Sequence, residues 1–474
     1  MIIYSPISGT TISFTSNDHR RRHNITPAPP PNLKSCSLGE RLTRYRRQNE
    51  RVTPSNHPDD RPTRSHSPGI PTPRLHVEGN RLVDPSGSQV TLRGLNVADP
   101  KRLNRTAAAR GKDAIETVEY LTGGAHGWHP RVIRVPVQPV DVGEHPPGWK
   151  AGPPEPPAFT REQLEEYLAE HLDPVVDRCE ENGVYCIVDF HRHWHTEDRT
   201  QRWDDPALAE EVTLFWETVA PRYADRTHVF YEVYNEPTEP GMRADPREEG
   251  AAAELWWNWK AVAQPWVDTI REHAPETPTL IGSPTWSQSP EGVYVERFDG
   301  ENLAYTYHIY AGHEVSREAD WAGVGPDAQG TAGVASEVPL FVTEFGWQVE
   351  DDLDLFRAST AEFAAPFREW ADANDAIHWM AWCADPVWRP ALFDRAFVDA
   401  EAADSIGEPY DGPVPDLVGE ADATDEAGET AETGENTGAW TLREEGAFVK
   451  AWLAERRSDG APQVAAERTV DDHS

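Results

Sequence analysis

Apolar residues gather in eight short runs along the middle of the chain, and most runs are nearly continuous rather than alternating. Strands that are buried on both faces have this pattern, which is typical of parallel sheets. The runs span residues 89–97, 131–139, 184–191, 228–236, 278–284, 303–310, 339–347 and 378–385. The pattern therefore predicts eight buried strands.

Helical patterns fill several of the gaps between these runs. After Thr160, apolar residues recur at helical spacing, and Thr160 with Gln163 predicts a capping box. Asn182-Gly183 is a helix stop, and Pro174 inside the pattern predicts a kink. Residues 253–274 and 360–374 have the same helical character.

Eight strands that alternate with helices predict an α/β protein with a (β/α)8 TIM barrel. No G-x-G-x-x-G sequence follows any strand, which argues against a doubly wound nucleotide-binding sheet. Before the barrel, two short alternating runs flank Asp84–Gly87 and predict an N-terminal β-hairpin.

The barrel does not account for the whole chain. Residues 1–73 are rich in Pro, Arg and Ser without apolar periodicity, so we expect a disordered basic extension. The catalytic domain is predicted over residues 76–457, with an acidic disordered insertion at about 416–438 and a final helix at 441–457. Residues 458–474 are expected to be a disordered tail.

The net charge of −37 makes nucleic acid an unsuitable partner, because phosphates demand a basic surface. The chain has only six lysines, and its first 75 residues are basic, so the rest is even more acidic. Repulsion between such charges is relieved by salt. The composition therefore predicts a protein from a high-salt environment, a halophile.

No apolar run reaches the roughly 20 residues of a membrane span, and the first 30 residues show no secretory signal. The four cysteines are widely spread, which favours free thiols over a disulfide framework or a zinc site. We expect a monomer without metal or other cofactor.

Catalytic groups of TIM barrels lie at the carboxyl ends of the strands. Two of those ends carry glutamates, Glu236 after the fourth strand and Glu344 on the seventh. Paired carboxylates at one barrel mouth indicate glycoside hydrolysis, in which one acid protonates the leaving oxygen and the other attacks or activates water.

The motifs around these glutamates are specific. "VFYEVYNEP" (229–237) and "PLFVTEFGW" (339–347) resemble the two strand-end motifs of glycoside hydrolase family 5, in the clan of retaining (β/α)8 glycosidases. Further motifs follow in family order, namely "LRGLN", "VIRVPV", "IVDFH", "HIYAGH" and "MAWCAD". The resemblance covers roughly residues 76–457 and implies retaining hydrolysis through a covalent glycosyl-enzyme.

The resemblance also implies roles for individual residues. Glu236 becomes the general acid/base and Glu344 the nucleophile. The family positions that bind substrate or support the nucleophile correspond to Arg134, His191, Asn235, His308, Tyr310 and Trp382. "HIYAGH" favours an endo-acting β-1,4-glucanase of the cellulase type on a polysaccharide or oligosaccharide. The stretch "WCADPVWRPALF" departs from the cellulases, so β-mannanase or another β-glycan hydrolase stays the alternative.

Two alternatives from other classes remain. His191, His193 and His195 alternate like metal ligands, which would fit a metal-dependent amidohydrolase barrel, although that class places such histidines on its first strand. A non-catalytic glycan-binding barrel is the other alternative. A polymeric substrate favours action outside the cell, but without a visible export signal a cytoplasmic location stays open.

Several residues have no decided role at this stage. Glu232 lies four residues before Glu236 on the same face of its strand, and we expect a buried, hydrogen-bonded structural acid. Trp194, Trp347 and Trp388 follow strand ends, where they would either line sugar subsites or pack in the core, and His313 is open in the same way.

Overall fold

The computed structural model describes residues 71–145, 154–192, 205–237, 251–313, 331–351, 353–394 and 440–463. The chain divides into two units, Met1–Ser67 and Pro68–Ser474, and every described residue belongs to the second. Within these residues, no helix combines the length and the apolar character that crossing a membrane requires.

Eight parallel strands close into a barrel, each pairing with its neighbours in chain order and the last pairing with the first. With the two strands of the N-terminal hairpin, the strands are β1 (His76–Glu78), β2 (Arg81–Val83), β3 (Arg93–Asn96), β4 (Val132–Val137), β5 (Tyr185–Phe190), β6 (Val229–Glu232), β7 (Thr279–Ile281), β8 (Leu303–Tyr310), β9 (Leu340–Gly346) and β10 (Ile377–Ala381). Every residue of the eight barrel strands is buried. The predicted (β/α)8 barrel is therefore confirmed, and each apolar run contains or overlaps one strand.

The barrel encloses an apolar layer at its amino end, which we call the amino-end cluster. It comprises Leu75, Leu82, Val90, Leu92, Val132, Tyr185, Ile187, Phe230, Leu280, Ala304, Phe341 and Met380. A larger apolar layer lies between the strands and the surrounding helices.

The N-terminal hairpin is also confirmed, and the predicted turn at Asp84–Gly87 forms as well, with Gly87 N donating to Asp84 O at 2.9 Å, but the two strands of the hairpin are joined by a separate turn. β1 and β2 pair as antiparallel strands, so the chain turns at residues 79–80. The predicted turn at Asp84–Gly87 comes after β2 and leads to a single bridge between Val83 and Gln89. Because Leu75 and Leu82 join the amino-end cluster, the hairpin closes that end of the barrel.

Helices and short turns connect the strands on the outside. They are Pro100–Arg105, Ala107–Arg110, Ala114–Thr122, Pro139–Val142, Arg161–Tyr167, Leu168–Leu172 (a π turn), Asp173–Glu181, Pro206–Tyr223, Ala251–His273, Pro284–Ser287, Pro290–Tyr294 (3-10), Thr331–Val334, Thr360–Ala364 (a π turn), Ala365–Asp372 and Glu444–Glu455.

The helix that begins after Thr160 shows how local sequence sets these elements. Thr160 and Gln163 form the predicted capping box, and the helical stretch ends at Asn182. Pro174 has no N–H for the preceding turn. The helix accommodates it with the π turn Leu168–Leu172 directly upstream, so the predicted distortion takes this form.

The final helix packs against the barrel as the sequence predicts. Its Trp452 stacks on Trp379 of β10, with ring centroids 4.0 Å apart, and the Trp452 Nε1 donates to Asp372 Oδ1 at 3.0 Å. This helix therefore covers the strand that closes the ring.

Two predicted domain limits differ from the structure by a few residues. Residues 458–463, assigned to the tail, contact the barrel, since Thr91 N donates to Gly460 O at 3.1 Å. At the other end, Tyr185 Oη donates to the carbonyl of Pro73 at 2.8 Å. Backbone contacts to the barrel hold both segments in place.

The remaining predictions on disorder concern residues 1–70, the acidic insertion at 416–438 and residues 464–474. All of these lie outside the described residues. The folded part that positions the site is thus the barrel with its hairpin and outer helices.

Candidate active site

The carboxyl ends of the barrel strands bring all eight predicted site residues to one buried place. They are Arg134, His191, Asn235, Glu236, His308, Tyr310, Glu344 and Trp382. Glu236 and Glu344 are 4% and 3% exposed, and Trp382, the most exposed, is 8% exposed. Residues on β4, β8 and β9, and residues just after β5, β6 and β10, therefore share one polar interior although they are far apart in the chain.

Arg134 is the hub of this interior. Its Nη1 donates to Glu344 Oε1 at 2.8 Å and to Asn96 Oδ1 at 3.1 Å. Its Nη2 donates to Asn235 Oδ1 at 2.6 Å and lies 3.0 Å from Asp189 Oδ2. Burial alone would lower the Arg134 pKa, but the surrounding carboxylates outweigh burial and raise it well above its usual value. The guanidinium is therefore a permanent cation.

Glu344 is held at both carboxylate oxygens. Arg134 occupies Oε1, and the Tyr310 hydroxyl donates to Oε2 at 2.6 Å. Burial, followed by the charge of Glu344, raises the Tyr310 pKa well above its ordinary value, so Tyr310 remains a proton donor. Hydrogen bonds to the ionised form favour that form. The arrangement suits a carboxylate that has to stay charged.

Glu236 has different surroundings. Its Oε1 lies 3.0 Å from His308 Nδ1. One oxygen of Glu236, one oxygen of Glu344 and one nitrogen of His308 all lie within 4.8 Å of one another. Two carboxylates this close, one paired with a cation and the other with a histidine, can take different protonation states.

Asn235 presents an amide whose two ends are unequally satisfied. Its Oδ1 accepts from Arg134, whereas its buried Nδ2 has no hydrogen-bond partner among the described residues. A donor of this kind beside the two glutamates is available to a substrate hydroxyl.

His191 and Trp382 form the aromatic side of the site. His191 Nδ1 lies 2.6 Å from Asp189 Oδ2, and the His191 ring is nearly parallel to Trp382, with centroids 5.7 Å apart. Trp388 also stacks on Trp382, with ring centroids 5.6 Å apart and an interplanar angle of 15°. Trp388 thus extends the aromatic surface, in the stretch that departs from the cellulase pattern.

The sequence analysis did not select three residues of this network as site residues. It predicted a structural role for Glu232 and did not single out Asp189 or Thr343. Glu232 is buried and hydrogen-bonded, as predicted, with Arg134 Nε at 2.6 Å from its Oε2. Asp189 and Thr343 were missed. Asp189 shares the inward face with His191 by the period of two, and that alternation is the signal that could have found it.

The loop that carries Asn235 and Glu236 rests on an unusual turn. Thr285, Trp286 and Ser287 have φ values of 61°, 55° and 56°, a region that side chains other than glycine rarely adopt. Trp286 N donates to the Pro237 carbonyl at 3.1 Å, and Ser287 Oγ donates to the Asn235 carbonyl at 3.0 Å. Strained backbone of this kind concentrates at functional sites.

The undecided residues fall in different places. Trp347 is buried against Phe345 and Phe363 in the core. His313 packs behind Tyr310, whose backbone N donates to His313 Nδ1 at 3.2 Å, and burial lowers the His313 pKa to about 4. Trp194 lies outside the described residues.

The metal-site hypothesis involves residues that the structure does not describe, since His193 and His195 lie outside it. The described His191 turns its Nδ1 toward Asp189. Within the described part of the chain, the Glu236, His308 and Glu344 group has the spacing to hold a cation. Both oxygens of Glu344 already accept hydrogen bonds, from Arg134 and Tyr310, so a cation there would have to displace those donors.

Comparison with known proteins identifies the family. The family described as cellulase (glycosyl hydrolase family 5) matches residues 83–387, and the chain therefore belongs to glycosyl hydrolase family 5. An endoglucanase from Halalkalibacter akibai is 27% identical over 282 residues, covering 56% of this chain and 30% of that protein. Endoglucanase A from Butyrivibrio fibrisolvens is 26% identical, covering 58% and 52%. The chain thus spans between about a third and about half of these relatives.

Solved structures show the same fold. The β-glucanase SdGluc5_26A from Saccharophagus degradans superposes with a TM-score of 0.55 at 20% identity, covering 81% of this chain and 94% of that one. The cellulase Cel5C_n gives a TM-score of 0.53 at 22% identity, covering 82% and 94%. At such identities the likeness concerns the fold.

Proposed function

We propose that this protein is a retaining β-glycoside hydrolase of the cellulase type, acting on β-1,4-glucan chains by double displacement. The observation that carries the proposal is the pair of carboxylates with oxygens within 4.8 Å of one another in unlike surroundings. Retaining enzymes place their carboxyl groups about 5–5.5 Å apart, whereas inverting enzymes need about 6.5–9.5 Å to admit water.

The surroundings of each carboxylate support a different role for it. Glu344, held by Arg134 and Tyr310, is the nucleophile that attacks the anomeric carbon and forms the glycosyl-enzyme. Glu236, beside His308, gives its proton to the departing glycosidic oxygen. It then takes a proton from the water that breaks the ester to Glu344, so the second step restores both residues.

The neighbouring residues support the sugar. Asn235 Nδ2, which lacks a partner among the described residues, would donate to the sugar 2-hydroxyl, a contact that strengthens as the ring becomes oxocarbenium-like. Trp382 offers its ring as a platform under the sugar, and His191 lies parallel to it. The endoglucanase names of the relatives agree with a glucan substrate.

The test is a reducing-sugar assay on carboxymethylcellulose, mannan, xylan and laminarin, performed with and without molar salt. We expect release from carboxymethylcellulose, with the first product formed as the β-anomer by NMR. Glu344→Gln is the matched control and should release nothing. Faster release from mannan would favour the β-mannanase alternative, which the departure around Trp388 motivates.

Three further outcomes would contradict the proposal. Binding of glucan without release of reducing ends would indicate a glycan-binding barrel. Loss of activity on treatment with a chelator, restored by zinc, would favour the metal-dependent class. An initial α-anomer would show inversion and would overturn the double displacement.

A further inference from the structure

A chain of hydrogen bonds leads from Glu232, inside the barrel, to the proposed acid/base. Thr343 Oγ1 donates to Glu232 Oε1 at 3.2 Å, and His308 Nε2 lies 2.8 Å from the same Thr343 oxygen. On the other side of the ring, His308 Nδ1 lies 3.0 Å from Glu236 Oε1. Glu232, Thr343 and His308 are all completely buried, so no water competes for these contacts.

The Glu232 end of the chain is an acceptor. Arg134 Nε donates to its Oε2 at 2.6 Å and Arg134 Nη2 to its Oε1 at 3.1 Å, the two-pronged geometry of an ionised carboxylate. Burial raises the Glu232 pKa to about 7, although the Arg134 charge opposes it. The carboxylate form, held by Arg134, is therefore the major one above about pH 7.

The direction of the chain then follows from proton counting. A threonine hydroxyl has a single proton, and Thr343 uses it to donate a hydrogen bond to Glu232. The Thr343 oxygen can only accept from His308, so His308 Nε2 carries a proton. With Nε2 protonated, the contact between His308 Nδ1 and Glu236 Oε1 needs one further proton, carried by either atom.

The charged groups around His308 favour keeping that proton. The residues that face its ring are Glu236 and Glu232 from β6 and its end, Glu344 from β9, Arg134 from β4 and His313 from the loop after β8. Burial opposes a charge on His308, but Glu344 and Glu236 outweigh burial and raise its pKa. The direction agrees with a proton retained at the Nδ1 to Oε1 contact.

We propose that Glu232 and Thr343 are positioning residues that fix His308 with Nε2 protonated. The contact between His308 Nδ1 and Glu236 Oε1 then holds one further proton, which supplies Glu236 as an acid. This inference rests on the proposed function, because it explains how Glu236 is supplied as an acid. Neither Glu232 nor Thr343 contacts the reacting atoms. They act by excluding the tautomer that would donate from Nδ1 to an ionised Glu236.

The direct test is 15N NMR of histidine-labelled protein between pH 7 and 10, with the His308 signals identified by their loss in His308→Gln. In the wild type, we expect Nε2 to stay protonated and Nδ1 to lose its proton as pH rises. In Thr343→Val, which keeps the shape and removes the hydroxyl, we expect the tautomer protonated at Nδ1. Thr343→Ser restores the hydroxyl and should restore the wild-type tautomer.

The pH profile of kcat/KM gives a second measurement on the same variants. In Thr343→Val, the Nδ1–H of His308 stabilises ionised Glu236, so the basic limb of the kcat/KM profile should move down by about one pH unit. At pH values above this limb, kcat/KM should be about tenfold lower than in the wild type. Thr343→Ser should keep the limb in place. A fluorescence melt of each variant shows whether it is folded at the assay temperature.

The outcomes separate this inference from the proposed function. If His308 loses its Nε2 proton first, or if Thr343→Val matches the wild type in tautomer and limb, the inference is wrong even if glucan is cleaved. If the tautomers behave as expected but no β-glycan is cleaved, the proposed function fails and the proton assignment stands.

Discussion

Along strand β5, Tyr185 and Ile187 give apolar side chains to the amino-end cluster, and Asp189, two residues further on, gives a carboxylate to the opposite end. Strand β6 repeats this change from Phe230 to Glu232. The same inward face is thus apolar at one end of the barrel and charged at the other.

The difference teaches how the fold divides its tasks. Apolar side chains at the amino end are stabilised by burial, which needs no matched partner. At the carboxyl end, three carboxylates share the guanidinium of Arg134. Burial of such groups is tolerable only while every charge is paired. We therefore expect changes at the amino end to affect stability and changes at the carboxyl end to affect chemistry, stability or both.

The largest effect is expected from Glu236→Ala. Loss of a general acid lowers kcat/KM on a natural glucan by roughly 10²–10⁴-fold. An aryl glycoside whose leaving group needs no proton should lose far less in its first step. Comparing kcat/KM on both substrates measures this, and equal losses would contradict the acid/base role of Glu236.

The next largest effect is expected from Arg134→Leu. It leaves Asp189, Glu232 and Glu344 buried without their cation, which should lower the free energy of unfolding by about 3–5 kcal/mol and weaken activity. Urea unfolding at neutral pH measures the loss. Arg134→Lys, which keeps the charge but has fewer donors, is the matched control and should lose less stability. Equal stability of Arg134→Leu and the wild type would contradict the claim that Arg134 stabilises the three buried carboxylates.

A smaller effect is expected from His378, a buried histidine at the amino end of β10. His378 stacks on Phe341, and its Nδ1 accepts a hydrogen bond from Leu92 N. Burial, with a further contribution from Arg93, lowers its pKa from 6.5 to about 3. The unfolded chain therefore binds this proton more readily, so stability is complete above about pH 6.5 and is lost as pH falls toward 3.

At pH 5 this loss amounts to about 2 kcal/mol relative to pH 8. His378→Asn, which keeps an acceptor for Leu92, should lack that part of the acid sensitivity. Urea unfolding of both proteins at pH 8 and pH 5 checks the difference, in which other titrating groups cancel. The same acid sensitivity in both proteins would show that His378 does not carry it.

The smallest effect is expected from Ile187→Val, two residues before Asp189 on the same strand. Removing one buried methylene group should cost about 0.5–1.5 kcal/mol of stability. Because Ile187 belongs to the amino-end cluster, kcat/KM of the folded protein should not change. A drop in kcat/KM larger than twofold would contradict the claim that the amino end affects stability without affecting the chemistry.

The sequence predicts the fold well because each buried strand has its own local signature. The runs that carry Glu236 and Glu344 are rich in apolar residues on both faces, so their strand character does not depend on distant partners. Once the barrel is predicted, the position of strand ends follows from the fold itself. That is why the two glutamates could be selected from the sequence.

The network below the glutamates could not be predicted in the same way. Arg134 and Glu232 are 98 residues apart, and Thr343 and Glu232 are 111 apart. Nothing local to Thr343 distinguishes it from an ordinary strand threonine. The left-handed turn at Thr285–Ser287 depends on the loop that it supports, so its sequence gives no turn signal of the glycine type.

The central claim is that Glu344 forms a covalent bond with the sugar while Glu236 handles the proton. A 2-deoxy-2-fluoro cellobioside with a good leaving group slows the second step, so the glycosyl-enzyme accumulates and can be located by peptide mass spectrometry. We predict one sugar per chain, attached to Glu344, and no attachment in Glu344→Gln. Attachment to Glu236 or to another residue, or turnover of glucan without any adduct, would contradict the claim.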